Sequence, residues 1–224
     1  SLAVPVYADV GAGEIGSVDV AGLRPRLGPA AGGTEVTVVG AGFTAACGQC
    51  RFGASSPVPA SVASASLLTC ASPAADAGSV MVEVDCGSAS VTGGVRFEFH
   101  PGVVVAGVEP SVVTASGRVR VVGEGYMDTE ALACRVGDEG ATAARYISSS
   151  VVECHVSARL SANASVDVSM NGVDFTDSTV RLVVRPVAGV WGVVPGRVAI
   201  SGGIEVTVMG NRMSASTWCD FGGS

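Results

Sequence analysis

Three cysteine-centred segments of this chain are copies of one another, and no other feature constrains the fold as tightly. Residues 32–43, Gly-Gly-Thr-Glu-Val-Thr-Val-Val-Gly-Ala-Gly-Phe, are followed by Cys50-Arg-Phe-Gly; residues 116–126 by Cys134-Arg-Val-Gly; residues 202–213 by Cys219-Asp-Phe-Gly. Cys50 and Cys134 lie 84 residues apart, and Cys134 and Cys219 lie 85 apart. A period of that length holds one small domain per copy. The 224 residues therefore divide into a leading segment 1–16, read as a linker or the end of a preceding domain, complete repeats at 17–101 and 102–186, and the N-terminal half of a third repeat at 187–224.

Within the repeats the pattern is that of strands. Alignment on Gly40, Gly123 and Gly210 places Val36 and Val38 over Val119 and Val121 and over Val206 and Val208, with Glu35 and Thr37, Arg118 and Arg120, Glu205 and Thr207 alternating beside them. Successive strand side chains point to opposite faces, so the valines line a core and the polar set meets water. One buried and one wet face describes the antiparallel sheet of a sandwich. The alternation returns at Val80, Val82 and Val84 and at Val166, Val168 and Met170, where Asn171-Gly172 predicts a two-residue type I′ hairpin turn. Closing strands are expected at 95–99 and 180–184, each running out at a proline, Pro101 or Pro186, that stiffens the junction. No window keeps a helical period, and the apolar content is dominated by β-preferring Val and by Ala. The fold class is all-β: a tandem of antiparallel β-sandwiches.

The cysteines follow the same period. Cys50 to Cys70 and Cys134 to Cys154 are each separated by 20 residues, which predicts one disulfide per domain. Cys47 and Cys86 occur in the first repeat alone; Cys86 continues the inward row of Val82 and Val84, which predicts a second bridge, Cys47 to Cys86. Cys219 corresponds to Cys50 and Cys134, so its partner is expected beyond residue 224. In the chain-entropy picture a bridge closing a loop of this size contributes about 3 kcal/mol. Paired cysteines imply an oxidising compartment, extracellular or at the cell surface.

Charge removes one class of partner. The chain has 13 basic residues, all arginine, and a net charge of −7, a poor match to a polyphosphate, so nucleic acid is not an expected partner. No apolar run reaches the length of a membrane span, and residues 1–10 do not read as a secretory leader, so targeting information is expected elsewhere.

These residues together resemble the IPT/TIG family, immunoglobulin-like domains carried by plexins and Met-type receptors, by bacterial and algal surface proteins and by some transcription factors. The resemblance rests on Pro25, Pro110 and Pro195 near the start of each repeat, the Gly-Gly-Thr-Glu-Val-Thr-Val-Val-Gly-Ala-Gly-Phe block, Cys50-Arg-Phe-Gly, and Cys70-Ala-Ser-Pro73. It covers residues 17–224 and is strongest in the first repeat; the second has Ser-Gly-Arg for Gly-Gly-Thr and Cys-His-Val for Cys-Ala-Ser-Pro. It implies a non-enzymatic structural or adhesive module of a large extracellular protein, whose tandem domains space other parts or assemble with other subunits, as in a filament or appendage. Two alternatives are a segment of a plexin-like receptor ectodomain and an accessory domain of a polysaccharide-acting enzyme.

Other motifs read as structure rather than chemistry. Gly11-Ala-Gly13-Glu-Ile-Gly16 matches a dinucleotide fingerprint but leads into a strand-like run instead of a helix. Cys47-Gly-Gln-Cys50 lacks the second ligand pair that zinc requires, since His100 and His155 stand in different repeats, and both histidines are expected at surfaces or interfaces. Asp138, Glu139, Asp174 and Asp177 read as solvated turn residues, short of the oxygen count calcium takes. No cofactor, metal or catalytic residue is expected. Asn163-Ala-Ser165 is the one acceptor triplet for N-linked sugar, placed in a loop before the strand at Val166. Tyr126 takes the place of Phe43 in the core, Trp191 marks a domain entrance, and Trp218 is expected to pack on a disulfide.

Overall fold

The computed structural model describes residues 18–87, 90–91, 93–114, 116–157, 163–185, 189–213 and 217–222. The segment 1–16 with its glycine motif, and Pro186, lie outside the described residues. Among the described residues every regular element is a strand, and the chain divides into two compact units: residues 1–103, 129–131 and 169–175, and residues 104–128, 132–168 and 176–224.

The first unit contains β1 (Asp19–Arg24), β2 (Leu27–Pro29), β3 (Glu35–Ala41), β4 (Gln49–Phe52), β5 (Val58–Ser64), β6 (Leu67–Ala71), β7 (Gly78–Asp85), β8 (Ser90–Val91) and β9 (Arg96–His100). Strands β1, β3, β6 and β5 form one layer; β4, β7, β9 and β2 form the other, with β8 on β7. β5 joins them, because Val58 and Pro59 pair with β4 while Ala60 to Ser64 pair with β6. Between the layers the alternation of β3 buries Val36 and Val38 and leaves Glu35 exposed. Facing them, Phe52, Phe97 and Phe99 meet edge-on, with ring centroids 5.3 Å apart for Phe52–Phe97 and 5.0 Å for Phe97–Phe99. Edge-to-face pairs add about 0.5–1.5 kcal/mol each to the burial itself.

The second unit repeats the plan with β10 (Val104–Glu109), β11 (Val112–Thr114), β12 (Gly117–Glu124), β13 (Ala133–Val136), β14 (Thr142–Ala143), β15 (Arg145–Ser148), β16 (Val151–Val156), β17 (Ala164–Ser169) and β18 (Arg181–Arg185). One sheet has the order β10-β12-β16-β15 and the other β11-β18-β17-β13-β14. Val119, Val121, Val152, Val166, Val168 and Leu182 fill the space between, none more than 1% exposed. β19 (Gly189–Val194) and β20 (Thr207–Asn211) then pair antiparallel as the first two long strands of a third copy.

The repeat is therefore a repeat of register. β1 pairs with β3, β10 with β12 and β19 with β20, each with a bulge at the same place, between Val20 and Gly22, Val105 and Gly107, and Val190 and Gly192. Closing glycines are dictated by that geometry. A Cβ on Gly40, Gly123 or Gly210 would run into the carbonyl of Asp19, Val104 or Gly189 and into the side chain of Phe43, Tyr126 or Met213. The first strand of each sandwich also changes sheet at its proline. β1 lies antiparallel to β3 while β2 runs parallel to β9, and β10 and β11 do the same against β12 and β18, with cis Arg24-Pro25 and Glu109-Pro110 at the crossings.

Asn171-Gly172 departs from the expectation of a type I′ turn. Gly172 has φ +76°, but Asn171 is not among the residues with positive φ, and residues 170–180 separate β17 from β18. Asn171 is instead buried, its Oδ1 accepting the backbone N–H groups of Val173 and Asp174 at 3.0 and 2.8 Å. A side-chain amide has taken the role of a turn carbonyl, as asparagine can.

Candidate interaction surface

The cysteines are placed by the layers. Cys50 on β4 is bridged to Cys70 on β6, and Cys134 on β13 to Cys154 on β16, so each bridge ties the two sheets of its sandwich through the core. Cys47 is bridged to Cys86, joining the approach to β4 with the end of its neighbour β7. The two cysteines of Cys47-Gly-Gln-Cys50 thus serve different bridges, and Cys219 stands exposed as a free thiol.

Other candidate residues scatter. His100 is buried at 6% exposure, not at a surface; it ends β9 opposite Pro29 of β2, and its Nδ1 lies 2.7 Å from the Pro101 carbonyl. His155 is exposed on β16. Asp174, part-buried rather than solvated, accepts from Asn171 Nδ2 and from Thr34 Oγ1, each at 2.7 Å within the first unit. Asp138, Glu139 and Asp177 are at or near the surface, and among the described residues no group of three acidic, His or Cys side chains is arranged to hold a metal. Asn163 is exposed at the bend that opens β17. Tyr126 is buried, its hydroxyl has no hydrogen-bond partner among the described residues, and burial pushes its pKa up to about 12. Trp191 and Trp218 are 69% and 79% exposed.

One surface was not legible as a unit in the sequence. On the outer face of the β10-β12-β16-β15 sheet, Glu109 sits opposite Arg120, Arg120 opposite Glu153, and Glu153 opposite Arg145. This makes a row of four residues, Glu-Arg-Glu-Arg, one on each strand and all pointing away from the core. Glu109, Arg120 and Arg145 are exposed, and none has an ion-pair partner within 4.0 Å among the described residues. Glu153 is held at 3.6 Å by Arg118, which occupies the next row beside His155. On the other flank lies an uncharged row, Gly107, Val122, Val151 and Ser148. The matching row in the first unit is Arg24, Thr37, Thr69 and Ser61, so the sandwich does not need these charges to form.

Comparison with known proteins places the fold. Residues 20–99 match the model of the IPT/TIG domain. Among solved structures, the full extracellular region of Plexin A4, domains 1 to 10, is similar at 16% identity with a TM-score of 0.53, over 79% of this chain and 17% of that one. SGBP-B from a complex xyloglucan utilization locus in Bacteroides uniformis is similar at 14% identity with a TM-score of 0.31, over 75% of this chain and 48% of that one. The chain thus spans less than a fifth of the plexin region it resembles. No curated protein matches.

Proposed function

From the premise that residues 20–99 form an IPT/TIG domain, we propose that this chain is a non-enzymatic structural module of an extracellular or cell-surface protein, its tandem sandwiches acting as spacer and assembly surface, in a filament or appendage. The observation that carries this reading is the inter-sheet disulfide, present at the same place in both sandwiches. Such bridges persist outside the cytosol and add stability to domains too small to hold much of their own. The short junction between β9 and β10, residues 101–103, supports the spacer role, since a connection of that length has little reach. An exposed Asn163 supports N-glycosylation of the second repeat.

The test is made on the endogenous protein. An antibody against this segment labels intact, unpermeabilised cells or the medium, and thiol alkylation before reduction leaves Cys50, Cys70, Cys134 and Cys154 unmodified. Labelling that needs permeabilisation, with those thiols alkylated, overturns the proposal. A second reading, a segment of a plexin-like receptor ectodomain, draws on the likeness to Plexin A4. It requires a membrane span and a cytoplasmic domain in the same gene, which the full reading frame decides.

A further inference from the structure

We propose that the outer face of the β10-β12-β16-β15 sheet docks onto the same face of a second copy of this chain. The row Glu109, Arg120, Glu153, Arg145 reads the same in opposite charges when reversed. A twofold axis lying in the interface, parallel to the strands and between β12 and β16, sets Glu109 against Arg145 of the second copy and Arg120 against Glu153 of the second copy. In an isologous contact each pairing occurs twice, so four opposite-charge pairs form from one row and no like charges within it meet. The same operation keeps position along the strands. Val122 therefore meets Val151 of the second copy, apolar on apolar, beside the charges.

Three observations favour this occupant. First, the row does not satisfy itself: Glu109, Arg120 and Arg145 have no ion pair within 4.0 Å among the described residues, although neighbouring strands alternate in sign. Second, the matching row of the first unit is mostly hydroxyls, so the charges are not a requirement of the sandwich. Third, in a chain of net charge −7 a face with equal numbers of Glu and Arg along its main row fits a partner of the same alternation better than a uniform polyanion. Four strands about 4.8 Å apart span about 14 Å between the outer two. A patch of that width lies at the small end of protein interfaces, so the contact is weak and becomes effective where many copies are strung together. The inference rests on the assembly reading above and names its partner.

The experiment uses the full chain and sedimentation velocity over a concentration series, with thermal melts to confirm folding. The wild type self-associates reversibly, and added salt weakens the association. Arg120→Glu and Glu153→Arg are each monomeric alone, and an equimolar mixture of the two regains association, because Glu at 120 of one copy then faces Arg at 153 of the other. Should either reversal melt early, the truncation pair Glu109→Ala and Arg145→Ala replaces it and raises the dissociation constant about tenfold or more. A wild type that stays monomeric at millimolar concentration, or association that survives every one of these changes, overturns the proposal. Neither result bears on surface labelling or on the disulfides, so the two readings fail separately.

Discussion

At the scale of single residues, Tyr126 shows the cost of a small chemical difference between repeats. It fills the place that Phe43 holds in the first sandwich, but its hydroxyl is buried without a partner among the described residues. A buried, unpaired hydroxyl costs on the order of 1 kcal/mol, so Tyr126→Phe is expected to raise the stability of the second unit by about that amount in urea denaturation. The pH dependence follows from the same cause. Burial raises the phenol from 10.0 to about 12 in the folded state, so its contribution is fully present below pH 10 and is lost as pH rises from there toward 12, where the unfolded chain ionises first. Denaturation midpoints measured at pH 9 and pH 11.5 should diverge in the wild type, and Tyr126→Phe should remove this residue's share of the divergence. Asn171 shows the complementary case: the dipeptide Asn-Gly was readable as a turn, but not that the amide would be buried and bonded to two backbone N–H groups. That outcome depends on what packs over the turn.

Among the elements, the paired first strands carry the repeat. Closing glycines are needed because the bulged neighbour brings a carbonyl against them, and the same bulge recurs in all three copies. Gly123→Ala should therefore cost about 3 kcal/mol, since the new methyl meets the Val104 carbonyl and the Tyr126 ring. Gly107→Ala, also in this strand pair but with open space at its Cβ, should change stability by less than about 0.5 kcal/mol. Equal losses at the two sites, in the same urea titration, would contradict the close approach. Sheet membership explains the difference between the two bridge types. Cys50–Cys70 and Cys134–Cys154 cross between layers, whereas Cys47–Cys86 fastens one end of a neighbouring strand pair.

On the scale of the whole molecule, the first unit has two bridges and the second has one. Each bridge closing a loop of about 20 residues contributes about 3 kcal/mol, so the Cys134→Ala and Cys154→Ala double variant should lose about that much from the second unit. Under rising reductant, limited proteolysis followed by mass spectrometry should find cuts within 104–185 before cuts within 18–100. The reverse order would mean that the first unit, despite its Phe52, Phe97 and Phe99 cluster, owes more of its stability to its two cross-links than the second unit owes to its one.

Much of this was written in the primary structure: the period, the all-β class, the inward valines and the rows on which the cysteines sit. Periodicity is a local property, and a two-residue alternation states which side chains face inward before any partner strand is known. Register across strands is a different matter. Glu109, Arg120, Glu153 and Arg145 lie far apart in the chain, and only the hydrogen-bonded ladders of β10, β12, β16 and β15 bring them into one row of alternating charge. The burial of His100 and of Asn171 was likewise settled by neighbours distant in sequence, because a side chain's exposure is set by what folds against it and not by its own residue type.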